Sequence, residues 1–283
     1  MSHRVDAHQH FWDLSTAFDY RWLDKPELAP IRRDRLPADL APLLREAGIS
    51  HCVCVQTQHD LEENRWALGL AETHPFIAGV VGWIDLASAH VERQLEEFRD
   101  DPKFVGVRHV AQDEPDDFLV REDIIRGLKV LEKHGIPFDV LIYPRHLPHV
   151  PTLARLLPEL PMVIDHLAKP DIRRSGYDRW IHDFVAASEH PSVSCKLSGM
   201  VTEAAWTSWT PGDLQPYIRA ALDHFGTDRL MIGSDWPVCE VAGTYADVME
   251  ATHAALGDLS AGERDAILGG TAARFYGLKI GAR

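Results

Sequence analysis

The chain predicts a single-domain α/β protein, a (β/α)8 TIM barrel over residues 1–283. Three observations lead there. Eight short runs rich in Val and Ile alternate with longer amphipathic stretches. Most of these runs are apolar throughout, as parallel strands covered on both faces are. The length of 283 residues lies close to the roughly 250 that such a barrel takes. Strand–helix units in series give parallel strands joined by right-handed crossovers. No Gly-x-Gly-x-x-Gly follows any strand, which sets aside an open dinucleotide-binding sheet.

Taken in order, the first strand is expected at 4–8 and is followed by a long aperiodic stretch at 18–37. That stretch is expected to form a loop over one mouth of the barrel, a lid or substrate wall. A helix at 37–47 stops at Gly48, a residue suited to end it. Strands at 51–56, 77–84 and 104–109 alternate with helices at 62–73, 91–99 and 121–134, the last ending at Gly135. Strands at 137–142, 162–166, 193–197 and 230–233 follow, separated by helices at 150–157, 177–189 and 214–225, the last ending at Gly226. Helices at 245–256 and 261–275 close the chain, the second opening on Ser260-Ala261-Gly262-Glu263, the spacing of a capping box.

Composition narrows the function. Hydrophobic residues make up 45% and charged residues 25%, ordinary for a globular protein whose core needs no disulfide staples. The net charge of -14 and the lack of a dense basic stretch argue against nucleic acid. No apolar run approaches the roughly 20 residues of a membrane helix. Met1-Ser2-His3-Arg4 leads straight into the first strand without a signal-peptide pattern, so a cytoplasmic location is expected. Cys52 and Cys54 alternate on one strand and read as small core residues.

In such a barrel the active site lies at the carboxyl ends of the strands. There the sequence sets His8 and His10, two apart and hence on one face, where they can meet a metal ion or a polarised carbonyl. Further ends carry Gln56, Gln58 and His59; Trp83 and Asp85; Arg108 and His109; Tyr143 and Arg145; Asp165, His166 and Lys169; Lys196 and Ser198; and Ser234, Asp235 and Trp236. Polar residues at all eight strand ends are hard to reconcile with accident.

The segments Val5-Asp6-Ala7-His8-Gln9-His10-Phe11-Trp12, Val107-Arg108-His109, Asp165-His166-Leu167-Ala168-Lys169-Pro170, Lys196-Leu197-Ser198-Gly199 and Gly233-Ser234-Asp235-Trp236-Pro237 resemble the amidohydrolase superfamily. The likeness is to its amidohydrolase-2 branch, which contains sugar lactonases. It implies a distorted barrel, with His8 and His10 as the strand-one metal-ligand pair, His166 as the strand-six histidine and Asp235 as the strand-eight aspartate. Two departures stand out. Arg108-His109 occupies the place of the bridging residue of binuclear members, and strand five ends in Leu141-Ile142-Tyr143, with His146 three residues further on.

The expected reaction is hydrolysis of a sugar aldonolactone, an L-fucono- or L-rhamnono-lactone by family likeness, to the free acid. Asp235 is the expected general base, and His166, Arg108 and His109 the groups that polarise the carbonyl and hold the oxyanion. Gln56, Trp83, Lys169, Lys196 and Trp236 are expected to bind substrate, with Lys169 also able to pair with Asp165. A single Zn²⁺, if bound, is expected on His8, His10 and Asp235, without being required for catalysis. The alternatives are a lactonase of the 2-pyrone-dicarboxylate type, with Arg108, Arg145, Lys169 and Lys196 as its cations, and a metal-dependent decarboxylase of the same branch.

Overall fold

The computed structural model describes His3–Gly281; Met1 and Ser2, which the expectation of a leaderless start used, lie outside the described residues. Eight parallel strands follow one another around a sheet in chain order. They are β1 (Val5–Gln9), β2 (His51–Val55), β3 (Ile77–Gly82), β4 (Phe104–His109), β5 (Phe138–Val140), β6 (Met162–Ile164), β7 (Val193–Leu197) and β8 (Leu230–Ile232). The helices between them are α1 (Pro37–Glu46), α2 (Leu61–Thr73), α3 (Val91–Glu96), α4 (Glu122–His134), α5 (Val150–Leu156), α6 (Tyr177–Ser188), α7 (Pro211–Phe225) and α8 (Tyr245–Ala255). No helix among the described residues is long and apolar enough to cross a membrane.

The continuous apolarity of the strands has two uses. Residues facing outward, such as Val80, Val107, Val140 and Ile164, pack under the helix ring in the main core. Those facing inward, including Val5, Ala7, Val53, Val81, Val163 and Met231, fill the lower part of the barrel with Tyr276.

The seam between β1 and β8 closes in two ways. Toward the carboxyl ends the backbones bond directly, His10 N to Trp236 O at 2.7 Å and Asp235 N to His8 O at 2.8 Å. Below that, the buried Asp6 carboxylate accepts from Ser234 N at 2.9 Å, Ser234 Oγ at 2.6 Å and Tyr245 OH at 3.1 Å. Burial still wins over these bonds and pushes the Asp6 carboxyl up to about 6.

Three expectations change. The final helix at 261–275 is broken into α9 (Ala261–Asp265), a wide turn Ala266–Gly270 and α10 (Thr271–Phe275). The break lets the chain pass the start of β1: a Cβ at Gly269 would lie 2.1 Å from the His3 carbonyl oxygen. The aperiodic 18–37 stretch contains two short 3-10 turns, Arg21–Asp24 and Pro26–Ile31. They pack Tyr20, Leu23 and Ile31 around Trp12 in a small core of their own. Arg35 ties that core to the strand-eight loop, its Nη2 lying 2.6 Å from Glu240 Oε2. Glu240 Oε1 in turn accepts from Trp236 Nε1 at 2.8 Å. Finally, β6 stops at Ile164, because the backbone turns left-handed: His166, Leu167, Ala168 and Lys169 have φ of 55, 53, 58 and 53°. Four L-residues in succession in that region are costly, at about 1–2 kcal/mol each, so the surroundings must hold them. Trp180 Nε1 donates to Leu167 O at 2.7 Å, and Lys169 N bonds His166 O at 2.8 Å.

Candidate active site

Four side chains converge above the carboxyl ends of β1, β6 and β8. His8 Nε2 and His10 Nε2 are 3.2 Å apart. Asp235 Oδ1 lies 3.3 Å from His10 Nε2 and 3.8 Å from both His8 Nε2 and His166 Nε2. All four residues are buried. The pleat accounts for His8 and His10, which share a face. Asp235 is brought in by a left-handed residue with φ of 58° directly after the seam bond to His8. His166 is brought in by the left-handed turn, and Gly199 makes room for its ring. Gly199 has φ of 59°, and a Cβ there would come within 2.4 Å of His166 Nδ1.

Outer contacts orient these rings. His10 Nδ1 lies 2.8 Å from the Val55 carbonyl oxygen, an acceptor that requires a proton on Nδ1 and fixes the ring with Nε2 turned toward Asp235. His166 Nδ1 and Ser198 Oγ share a bond of 2.9 Å. Burial holds His166 down to about 4 and His8 well below its ordinary range, so both are neutral at neutral pH. For Asp235, burial pulls upward but the His166, His10 and His8 rings outweigh it, holding the carboxyl well below the usual carboxylate range.

Beneath His8 lies a closed lattice of charge. Lys196 Nζ donates to Asp139 Oδ2 at 2.5 Å and lies 3.0 Å from Asp165 Oδ1 and 3.2 Å from His8 Nδ1. Arg108 Nη1 is 3.3 Å from Asp165 Oδ2, and the guanidinium also bonds the Gln56 carbonyl and, at 2.9 Å, Gln56 Oε1. Tyr276 OH donates to Asp139 at 2.8 Å. Burial raises the Asp139 carboxyl. Burial acts on Asp165 the same way, but the Lys196 and Arg108 cations and His8 outweigh it and keep Asp165 ionised.

Several expected residues therefore have other duties. Lys196 has no exposure at all, so it is part of the floor and not a substrate contact. Trp236 is fully buried against Glu240 and likewise cannot meet a substrate face. His109 accepts from Trp83 Nε1 at 3.2 Å and lies 3.1 Å from Glu114, so both ring nitrogens are already engaged and neither is free to hold an oxyanion. Lys169 pairs with Glu203 at 4.0 Å, not with Asp165. Gln56 is nearly buried and spends its side chain on Arg108 and the Gln58 carbonyl. Trp83 remains half-buried at the rim, stacked on His59 with ring centroids 5.4 Å apart. His146 supplies no strand-five ligand: it is buried, with Nδ1 accepting from Tyr143 N at 3.3 Å and Nε2 3.3 Å from the Glu114 carbonyl.

Asp139, Tyr276, Glu203 and Glu63 are parts of this region that sequence reasoning missed. Glu63 is buried at the start of α2 and accepts from Thr57 N at 2.9 Å and Gln58 N at 2.9 Å, shaping the loop after β2. A charged residue inside the apolar run Phe138-Asp139-Val140 was the signal available for Asp139.

The donor set fits a metal ion. A tetrahedron of bonds near 2.0–2.1 Å has edges of about 3.3–3.4 Å, close to the separations above. His8, His10 and Asp235 form one group able to hold an ion, and His8, Asp165 and His166 another. Asp165 Oδ1 accepts no well-formed hydrogen bond among the described residues, and His8 Nδ1 lies 3.3 Å from it. A proton on Nδ1 satisfies that oxygen and turns the Nε2 lone pair toward His10 and Asp235.

A (β/α)8 barrel with histidines and an aspartate gathered at its carboxyl face, able to hold an ion, is the architecture of a metal-site barrel enzyme. The chain belongs to the amidohydrolase family, whose match runs over residues 5–278. It is 40% identical over 251 residues to an L-fucono-1,5-lactonase of Burkholderia ambifaria, covering 87% of this chain and 84% of the relative. An L-fucono-1,5-lactonase of Burkholderia multivorans is 38% identical, over 97% and 96% of the two chains. A crystal structure of a Burkholderia multivorans amidohydrolase with bound zinc superposes with a TM-score of 0.93 at 37% identity, over 98% of this chain and all of that one.

Proposed function

We propose that the protein is a lactonase that opens a neutral polyhydroxylated 1,5-lactone, L-fucono-1,5-lactone first among them, to the aldonic acid. The observation that carries the reading is the buried, ionised Asp235 carboxylate set 3.3–3.8 Å from the Nε2 atoms of His10, His8 and His166. The names of the two Burkholderia relatives support the sugar.

Asp235 accepts a proton from water as the water oxygen attacks the lactone carbonyl. With the Ser198 hydroxyl donating to Nδ1, His166 presents Nε2–H to the oxyanion; such a donor contributes about 10²–10³ in rate. Arg108 Nη1, 3.3 Å from His8 Nε2, holds positive charge beneath that oxyanion. As the tetrahedral intermediate collapses, the ring C–O bond breaks and the ring oxygen takes the proton back from Asp235. His8, His10 and Asp235 would hold a Zn²⁺, which supplies polarisation of a bound oxygen and a water pKa near 7.

Charge distribution favours a neutral substrate over a dicarboxylate. Arg108 and Lys196 are committed to Asp165 and Asp139 below the floor. Arg145 turns outward to Asp116 at 2.8 Å. Lys169 faces Glu203. Lys169, the member of that set that makes no hydrogen bond among the described residues, has the Glu203 carboxylate 4.0 Å away, whose charge opposes a second carboxylate there.

A cytoplasmic location accords with four cysteines that are all free and buried, and the net charge of -14 with the absence of a nucleic-acid partner. The test is a pH-indicator assay over five- and six-membered aldonolactones, with and without chelator. Acid release from 1,5-lactones of one stereochemical group is expected, with Asp235→Asn slowing turnover by about 10²–10⁴-fold. No release from any lactone, or an undiminished Asp235→Asn enzyme, overturns the reading.

A further inference from the structure

Nearly every charged group around the site is spoken for, and one pair differs. Lys169 Nζ and Glu203 Oε1 lie 4.0 Å apart, within Coulomb range but beyond hydrogen-bond distance. Both side chains are mostly but not wholly buried, at 16% and 22% exposure. Lys169 Nζ also rests over the Tyr143 ring, 5.5 Å from its centroid. Among the described residues neither head group makes a hydrogen bond, so the ammonium keeps its donors and the carboxylate its acceptors.

The two arrive there by different routes. Lys169 is the last residue of the left-handed run that starts at His166. Glu203 ends the short turn Val201–Glu203 in the loop after β7. Glu203 also senses the Asp235 charge, which places the pair in the electrostatic reach of the chemical centre. The strained segment that aims His166 at Asp235 thus aims Lys169 at Glu203, and strain of this kind persists where surrounding structure enforces it.

We infer that Lys169 and Glu203 form the hydroxyl-reading pair of the site, bridged by neighbouring hydroxyls of the lactone ring, with Glu203 the specificity-determining residue. This rests on the lactonase reading above and extends it to the recognition of substrate. An ammonium and a carboxylate 4.0 Å apart, just too far to bond each other, offer a donor and an acceptor that two neighbouring ring hydroxyls can bridge. A ring hydroxyl accepts from Lys169 while its neighbour donates to Glu203. The same carboxylate repels a lactone that carries its own carboxylate.

The experiment measures kcat and KM of wild type, Glu203→Gln and Glu203→Asp on a polyhydroxylated 1,5-lactone, its singly deoxygenated analogues and a carboxylated lactone. Glu203→Gln is expected to lower kcat/KM on the parent about 10- to 100-fold, carried by KM, as for lost bonds to a charged group. One deoxygenated analogue should be indifferent to the substitution, because the hydroxyl that Glu203 reads is missing from it. Glu203→Asp should fall between, and relative activity on the carboxylated lactone should rise in Glu203→Gln. Equal losses on every analogue, a loss confined to kcat, or no change overturns the inference. Should wild type open no lactone, the lactonase reading falls. Calorimetric titration of wild type and Glu203→Gln with a non-hydrolysable cyclic polyol then decides the pair separately: equal affinities overturn it, and weaker binding by the variant upholds it.

Discussion

The lattice under His8 and the pair above it handle charge in opposite ways. Arg108, Asp165, Lys196 and Asp139 are interlocked and excluded from water, and Tyr276 takes up Asp139's remaining capacity. Lys169 and Glu203 are close, partly wet and unbonded. Desolvated ions must be matched because an orphaned one is expensive, whereas a group left with free donors or acceptors stays ready for a ligand. The floor therefore serves as scaffold for His8, and recognition belongs to the rim.

Lys196→Met is the hardest test of that contrast. It leaves Asp139 without a cation and Asp165 with Arg108 alone, and should cost about 3–5 kcal/mol of stability, read from urea unfolding. A loss under 1 kcal/mol, the range of an exposed pair, would place the floor in the same category as the rim. Gly199→Ala tests the boundary between the two regions, because its Cβ would collide with the His166 ring 2.4 Å away. Turnover is expected to fall about tenfold or more, as displaced catalytic geometry requires, while Glu203-dependent KM is kept. A KM change matching the kcat change would show that the regions are not separable.

The smallest effect concerns pH. Burial pushes the Glu203 carboxyl up to about 7, with Lys169 opposing and Asp235 and Asp171 adding to the rise. From its ordinary value of 4.5 up to about 7 the folded protein retains a proton that the unfolded chain has lost, so this group's contribution to stability falls as pH rises through that window. Glu203→Gln lacks the effect. Its unfolding midpoint should gain on wild type between pH 5 and pH 8, and a constant difference would mean that Glu203 is no less hydrated than a surface glutamate.

The barrel, and the gathering of His8, His10, His166 and Asp235 at its carboxyl face, were legible because both depend on local pattern. Apolar runs bounded by Gly and Pro mark buried strands, and β4 and β7 begin and end where those runs do. His8, His10, His166 and Asp235 announce themselves at strand ends. The division of labour among the cations was not legible, since it depends on depth. Lys196 stands within a strand, one residue before Leu197, and only the closed barrel shows that its head points inward beneath His8. Tyr276 bonds Asp139 across 137 positions of sequence, a separation no periodicity encodes. Glu203 lies in a loop without repeat, where a glutamate reads as solvated. The broken final helix had its sign in Gly269-Gly270, two glycines that a continuous helix would disfavour.

The run from His166 to Lys169 has a stereochemical consequence. Its backbone is the mirror image of an ordinary helical turn, which is the relaxed conformation for residues of the opposite hand. Ala168, buried and with φ of 58°, carries a methyl group as its whole side chain. A semisynthetic chain with D-alanine at that position would thus have a turn at rest where the natural one is tense, by about 1–2 kcal/mol. Glycine, the encoded residue most at ease with positive φ, would relieve the strain only by loosening the segment that holds His166 and Lys169 in register.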